Sequence, residues 1–343
     1  MIGLAAAIAV AERGVSVTLI GENRTGEASP AAAGMLAPSV ERAVGPAHEF
    51  GIAARDRYPS YVEFLADRTG IRVPLNRRGI LQVALTGKGI KGLKKTAPPT
   101  ARWLDAKELR ELEPALAHAV GAMFNPDDGA VDNTVLILAL LKLVATSVRV
   151  VTVSDAVIEV EPRESSTTVR TRSGATHTAP YVVLAAGAWI ERISGARLGT
   201  AVRPFRGQLV SYSTSPLGHV AYGPRGYVVP RGDSTIGGTT MEDVGFDAST
   251  TKEGIEKVRS AAEEICPSLS RSNTTRSWAG LRPVTADLLP ILGPDPEYPS
   301  IIYACGHSRN GVLMAPLTGD LIADLVTATP LSLDLAQFRP GRF

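Results

Sequence analysis

The chain has little cysteine, almost no net charge and no long apolar run, and each shortage excludes something. Among 343 residues there are two cysteines, Cys266 and Cys305, too few for a disulfide framework or a cysteine-rich metal centre. No metal is therefore expected, and a reducing, cytoplasmic setting is. Lys and Arg number 36 against 34 Asp and Glu, a balance of +2 that offers no footprint for a nucleic-acid partner. The apolar stretch at residues 135–141 stops at Lys142, short of the roughly 18 residues needed to span a bilayer. Met1-Ile2-Gly3-Leu4 does not read as a cleavable secretory leader. What remains is ordinary globular composition, 44% hydrophobic and 20% charged, at a length that suits one large domain or two interleaved ones.

The alanine-rich residues 3–13 read as a helix that Gly14 stops, and residues 15–20 as a strand ending in Gly21-Glu22-Asn23. Helix, glycine, strand and acidic tip form the second half of a dinucleotide-binding βαβ unit, with Gly3 in the place of the last glycine of Gly-x-Gly-x-x-Gly. On that pattern the first strand and two glycines, roughly a dozen residues, are expected to lie outside the chain as given, which would then bind its cofactor weakly. Residues 27–38 are small and then abruptly apolar, which lets a backbone approach a ligand or another backbone closely. Further on, a helix is expected around 49–69, a strand at 79–85, a surface loop at 88–99 and a helix at 134–146 capped by Asp132 or Asn133. Strands follow at 150–160, 167–171, 182–184 and through 202–238, then a helix at 252–265, a buried strand at 301–304 and a final helix at 313–326. Such βα units at both ends with antiparallel strands between predict an α/β fold, α+β overall: a nucleotide-binding domain interrupted by a mostly β substrate domain.

Six segments in order carry a resemblance: residues 31–38 (Ala-Ala-Ala-Gly-Met-Leu-Ala-Pro), 182–189, 202–208 (Val-Arg-Pro-Phe-Arg-Gly-Gln), 227–231 (Tyr-Val-Val-Pro-Arg), 278–283 (Trp-Ala-Gly-Leu-Arg-Pro) and 306–311 (Gly-His-Ser-Arg-Asn-Gly). The chain resembles the FAD-dependent D-amino acid oxidase superfamily, most closely its glycine oxidase branch, which serves thiamine biosynthesis. The resemblance implies a Rossmann-like FAD-binding domain, residues 1–44, 130–200 and 277–343, interleaved with an antiparallel-sheet substrate domain, residues 45–129 and 201–276. It implies that Gly306, His307, Arg309, Asn310, Gly311 and Val312 lie against the flavin, where backbone N–H groups and a helix dipole can stabilise negative charge. Gly3, Ala32, Ala33, Gly34, Met35, Val157, Ala186 and Gly187 would complete the cofactor site. Glu22 would hold the ribose, provided that a one-residue bulge absorbs Gly21.

Pro283 disfavours helix at Arg282, and in a strand Trp278, Gly280 and Arg282 share one face. A buried guanidinium needs a carboxylate, either the protein's own or, by the resemblance, the substrate's. Tyr227 is implied as the second group on that carboxylate and Arg309 as a neighbour of the amine. Met35 and Met241 would line the pocket, methionine being equally a filler of gaps. Arg225 stands where some relatives carry histidine, and Cys305 reads as a buried thiol. The implied reaction is oxidative deamination of glycine, sarcosine or small D-amino acids to an imine and glyoxylate, with ammonia and hydrogen peroxide, molecular oxygen being the second substrate. No strong protein base is required if the neutral amine expels hydride towards the flavin. Three other readings remain open: a related dehydrogenase for D-amino acids or N-methyl amines, a flavin-free remnant, and a pyridine-nucleotide enzyme. The relatives also imply a homo-oligomer, a homotetramer.

Overall fold

Helix Ile2–Glu12 forms from a run rich in alanine, the residue with the lowest helical cost. Gly14, at a φ of +85°, then turns the chain into strand Val17–Gly21. The structure, a computed structural model, describes residues 1–41 and 45–343. Arg42, Ala43 and Val44, and with them the expected domain boundary at 44, lie outside the described residues. Strand Val17–Gly21 pairs in parallel with Val150–Ser154, in an unbroken register from Val17–Val150 to Gly21–Ser154. Gly21 is thus the last residue of the ladder and Glu22 follows the strand directly. The expected bulge is not formed, because a residue without a side chain continues the pairing as well as any other.

Strand Val182–Leu184 lies parallel to Ile301–Cys305, whose other edge takes Ile291–Pro294 antiparallel. The last strand runs through a glycine-bearing turn into helix Gly311–Val326, which crosses helix Ile2–Glu12 closely. Gly319 permits that approach, since a Cβ there would stand 2.8 Å from the Ala5 carbonyl oxygen. Leu313, Met314, Leu321 and Ile322 fill the core beneath with Ala6, Ile8, Val10, Leu136 and Leu140. Truncating any one of these leucines to alanine should cost about 2–5 kcal/mol, the transfer loss plus the cavity.

An eight-stranded sheet forms the rest of the scaffold, in the order Thr274–Thr285, Val202–Tyr212, Ser234–Gly238, Tyr227–Arg231, Val220–Tyr222, Ile80–Ala84, Gly121–Asn125, Arg102–Asp105. Its two long strands pair antiparallel, Gly207 opposite Gly280 and Phe205 opposite Arg282. Helix Lys252–Ile265, capped by the Thr251 hydroxyl accepting from the Gly254 N–H, packs Val258, Ala262 and Ile265 against Val210 and Tyr212. The chain is therefore a Rossmann-like α/β assembly joined to a mostly antiparallel sheet, α+β overall; the expected all-antiparallel sheet is interrupted where Val220–Tyr222 runs parallel to Ile80–Ala84.

Three local expectations are corrected. The run 150–160 is two strands, because Asp155 turns the chain by accepting from the Ala156 N–H, and Val157–Pro162 joins a separate sheet with Thr167–Thr171 and Thr176–Ala179. The helix around 49–69 is two helices, Pro46–Asp56 and Tyr58–Thr69, since Pro59 cannot sit in a helix interior. Segment 88–99 is no loop as far as Lys95: Gly87–Lys95 is a helix started by the Thr86 hydroxyl, and Lys94 covers the Trp103 ring at 4.8 Å.

Candidate active site

Where the parallel strands end, a cavity of about 1700 Å³ opens and runs to the large sheet. Strand Val17–Gly21, the segment 177–189, the small-residue run 27–37, strand residues 280–283 and the turn 307–312 form its walls. Gly3, Glu22, Ala32, Ala33, Gly34, Met35, Val157, Ala186, Gly187, Tyr227, His307, Arg309, Asn310, Gly311 and Val312 all line it, together with Arg225, Met241 and Arg282. Gly306 is the exception. With a φ of +71° and Thr285 Cγ2 only 2.6 Å from where its Cβ would stand, it makes the turn behind the wall.

The small-residue run is held rigidly. Gly34 has a φ of +75°, and a Cβ there would lie 2.0 Å from the Val131 carbonyl oxygen. Arg231, which drew no separate expectation, ties this run to the next helix. Its Nη2 donates to the Ala33 carbonyl at 2.9 Å and to Asn133 Oδ1 at 3.1 Å, and its Nη1 donates to Asp132 Oδ1 at 3.0 Å. At the opposite wall, helix Gly311–Val326 has Asn310 as N-cap but no side-chain cap, so its first N–H groups stay available to an acceptor in the cavity. His307 is buried, with its Nε2 3.1 Å from the Thr318 hydroxyl, and burial drives its pKa down to about 3. The ring is therefore neutral at working pH.

At the large sheet the cavity ends on Arg282 and Tyr227. Arg282 is half-buried, and among the described residues its hydrogen bonds go to neutral oxygens: Nη1 donates to the Thr240 carbonyl at 3.2 Å and Nη2 to Thr239 Oγ1 at 2.9 Å. Among the described residues no carboxylate is ion-paired with it, which removes the reading of Arg282 as half of an internal salt bridge. Burial lowers the affinity of its guanidinium for a proton, and burial raises that of the Tyr227 phenolate, so the phenol stays a donor. Three glycines make room. A Cβ on Gly207 would fall 1.9 Å from Arg282 Nη1, one on Gly238 would fall 2.4 Å from the Tyr227 ring, and one on Gly280 would meet the Ala31 Cβ at 2.5 Å.

The sequence reading missed Glu41 at this wall. Glu41, whose side chain is 10% exposed, is ion-paired with Arg309 at the cavity wall. Its carboxyl pKa is raised by burial, against the opposing pull of Arg309 and then Arg282. Arg309 therefore does not present a free guanidinium. Arg225 lines the mouth, where its Nε donates to Glu264 Oε2 at 2.7 Å. Met241 is 47% exposed, a rim position rather than an enclosed one. At the other end Glu22 is ion-paired with Arg172, and with Arg24 at 3.3 Å. Cys305 is buried and its thiol pKa is pushed up to about 12 by burial, which makes it inert.

The cavity is larger than the 300–1,000 Å³ typical of a small-molecule pocket. An acid at a strand tip, a close-packed small-residue run and an uncapped helix terminus suit a dinucleotide with a ring system at its far end. FAD fits this donor set. Residues 1–325 match the family model described as FAD dependent oxidoreductase, and the chain belongs to that family, with FAD as its cofactor. Glycine oxidase of Geobacillus kaustophilus is 33% identical over 98% of this chain and 93% of that protein. The bifunctional protein ThiO/ThiG of Synechocystis sp. is 33% identical over 100% of the chain, which spans only 53% of that longer protein. Among solved structures, glycine oxidase from Geobacillus kaustophilus superposes with a TM-score of 0.91 at 32% identity, covering 100% of this chain and 96% of that one. Iminodiacetate oxidase from Chelativorans sp. shares the fold, with a TM-score of 0.89 at 24% identity over 99% of this chain and 96% of that one. The chain is thus an FAD-dependent amino acid oxidase by class. Among the described residues no helix is long and apolar enough to cross a membrane.

Proposed function

We propose that the protein oxidatively deaminates glycine and similarly small amines, sarcosine and small D-amino acids, and so supplies the synthesis of the thiamine thiazole. One observation carries the reading. Arg282 is a half-buried guanidinium with no ion-paired carboxylate among the described residues, beside a phenol that stays protonated, at the end of a cavity suited to FAD. A substrate carboxylate would complete it with charge-assisted hydrogen bonds from Arg282 and one from Tyr227. The named relatives support the same substrate class.

Bound FAD supplies the two-electron acceptor, which molecular oxygen reoxidises with formation of hydrogen peroxide. The protein's part is position and exclusion. Arg282 and Tyr227 anchor the carboxylate, the rigid run 31–37 and the turn 307–312 fix the cavity on either side, and the neutral His307 adds no positive charge. Glu41 is engaged by Arg309 and unsuited to be a general base, so the amine would react through its own lone pair. Loss of one C–H and one N–H hydrogen gives the imine, which takes up water and releases ammonia and glyoxylate. The flavin domain would comprise residues 1–44, 130–200 and 277–343, and the substrate domain residues 45–129 and 201–276. A homo-oligomer is proposed as the working state.

The test is the visible spectrum of the purified protein, before and after anaerobic glycine, with peroxide measured on admitting air. Bleaching and then stoichiometric peroxide would support an oxidase. Bleaching without peroxide would favour a dehydrogenase, and no bleaching by any small amine would refute the proposal.

A further inference from the structure

Among the described residues six arginines line the cavity, and they are not equivalent. Arg24 and Arg172 face Glu22, Arg225 faces Glu264, and Arg309 faces Glu41, each as an ion pair. Arg192 lies over the Phe246 ring, its guanidinium carbon 3.7 Å from the centroid. Among these six, Arg282 is half-buried and has purely neutral hydrogen-bond acceptors. The substrate end therefore holds two guanidinium groups close enough to repel each other, Arg282 and Arg309, and one carboxylate, Glu41, that neutralises the second.

We infer that Glu41 is a specificity-determining residue: by engaging Arg309 it leaves Arg282, among the described residues, as the one cation at the substrate end without an acidic partner, and so restricts the substrate to amines with one acidic group. The inference rests on the proposed amine oxidation and adds the charge class of its substrate. A substrate with a second carboxylate would have to pull Arg309 away from Glu41 and stand beside that acid. Both events oppose binding, the first by breaking a half-buried ion pair and the second by like-charge repulsion. Asp128 is also within electrostatic reach of Glu41 and adds to the negative side of this wall.

The test uses the flavin-loaded protein and two kinds of probe. First, acetate and malonate are titrated into wild type by difference absorbance of the flavin. Malonate should bind no more tightly than acetate, and malonate tighter by tenfold or more would overturn the inference without any variant. Second, kcat/KM is measured for glycine and iminodiacetate in wild type, Glu41→Gln and Glu41→Gln/Arg309→Met. The ratio of iminodiacetate to glycine should rise at least roughly tenfold in Glu41→Gln, the worth of one new charge-assisted contact, and fall back in the double variant. An unchanged ratio in Glu41→Gln overturns the inference while glycine turnover stands. No glycine turnover in wild type overturns the functional reading itself, and the inference with it.

Discussion

Replacing Arg282 with methionine separates a binding role from a structural one, because the two make opposite demands on stability. Among the described residues the half-buried guanidinium is held by the Thr240 carbonyl at 3.2 Å and the Thr239 hydroxyl at 2.9 Å and has no ion-paired carboxylate. In the free protein it is a half-buried charge without a paired carboxylate among the described residues, a cost that methionine of similar length removes. With substrate it gains two charge-assisted hydrogen bonds at about 1.5–3 kcal/mol each, so Arg282→Met should lower kcat/KM for glycine by roughly 10²–10⁴-fold. The melting temperature of the flavin-loaded variant should stay level or rise. Had Arg282 been the partner of an internal carboxylate, its loss would cost about 3–5 kcal/mol and, at this chain length, lower the melting temperature by about 4–7 °C. Peroxide-coupled kinetics and flavin-fluorescence melting on one preparation give both numbers. A drop in melting temperature of that size, with activity lost only in proportion to flavin lost, would refute the assignment.

Gly207→Ala should reproduce much of the Arg282 defect without touching Arg282, since the new Cβ would stand 1.9 Å from its Nη1; glycine KM and flavin content report it, and an unchanged KM would count against the packing described. His307 gives a pH signature. Burial holds its folded pKa at about 3 against an ordinary 6.5, so the unfolded chain takes up a proton that the folded one refuses, and stability is lost as pH falls below about 6.5. Between pH 7 and 5 that loss is about 2 kcal/mol in denaturant melts, and His307→Gln should flatten it. Glu22→Ala should weaken FAD binding roughly tenfold, read by equilibrium dialysis, and leave glycine KM unchanged in the reloaded protein.

Much of this was legible in the sequence where a local rule and the tertiary outcome agree. Helix Lys252–Ile265 has a Thr cap, an amphipathic stripe and a following proline, and every one of those signals is local. The parity that puts Trp278, Gly280 and Arg282 on one strand face is equally local, and the structure turns all three towards the 27–37 run or the pocket. Segment 88–99 misled because four lysines and two prolines resemble a solvated loop, while the helix there depends on one hydroxyl cap and on Lys94 lying over Trp103, 9 residues away in sequence. Glu41 carried no signal at all. A single carboxylate after Ser39-Val40 becomes meaningful only when the fold brings Arg309 to it from 268 residues away. Arg231 was visible as part of a motif, but its hold on Ala33, Asp132 and Asn133 is a property of three distant segments meeting.

The glycines under the substrate end have a genetic corollary. Gly207, Gly238 and Gly280 each sit where the first carbon of any side chain would strike Arg282, Tyr227 or Ala31. A glycine codon can change by one base only to a residue that has that carbon, so no missense step there is conservative. The neighbouring arginine and tyrosine codons can drift to residues that still fill space, while these three can only lengthen. In a saturation library selected for amine oxidation they should stand out as positions with no accepted replacement, and a lineage seeking a roomier pocket would have to vary the rim around Met241 instead.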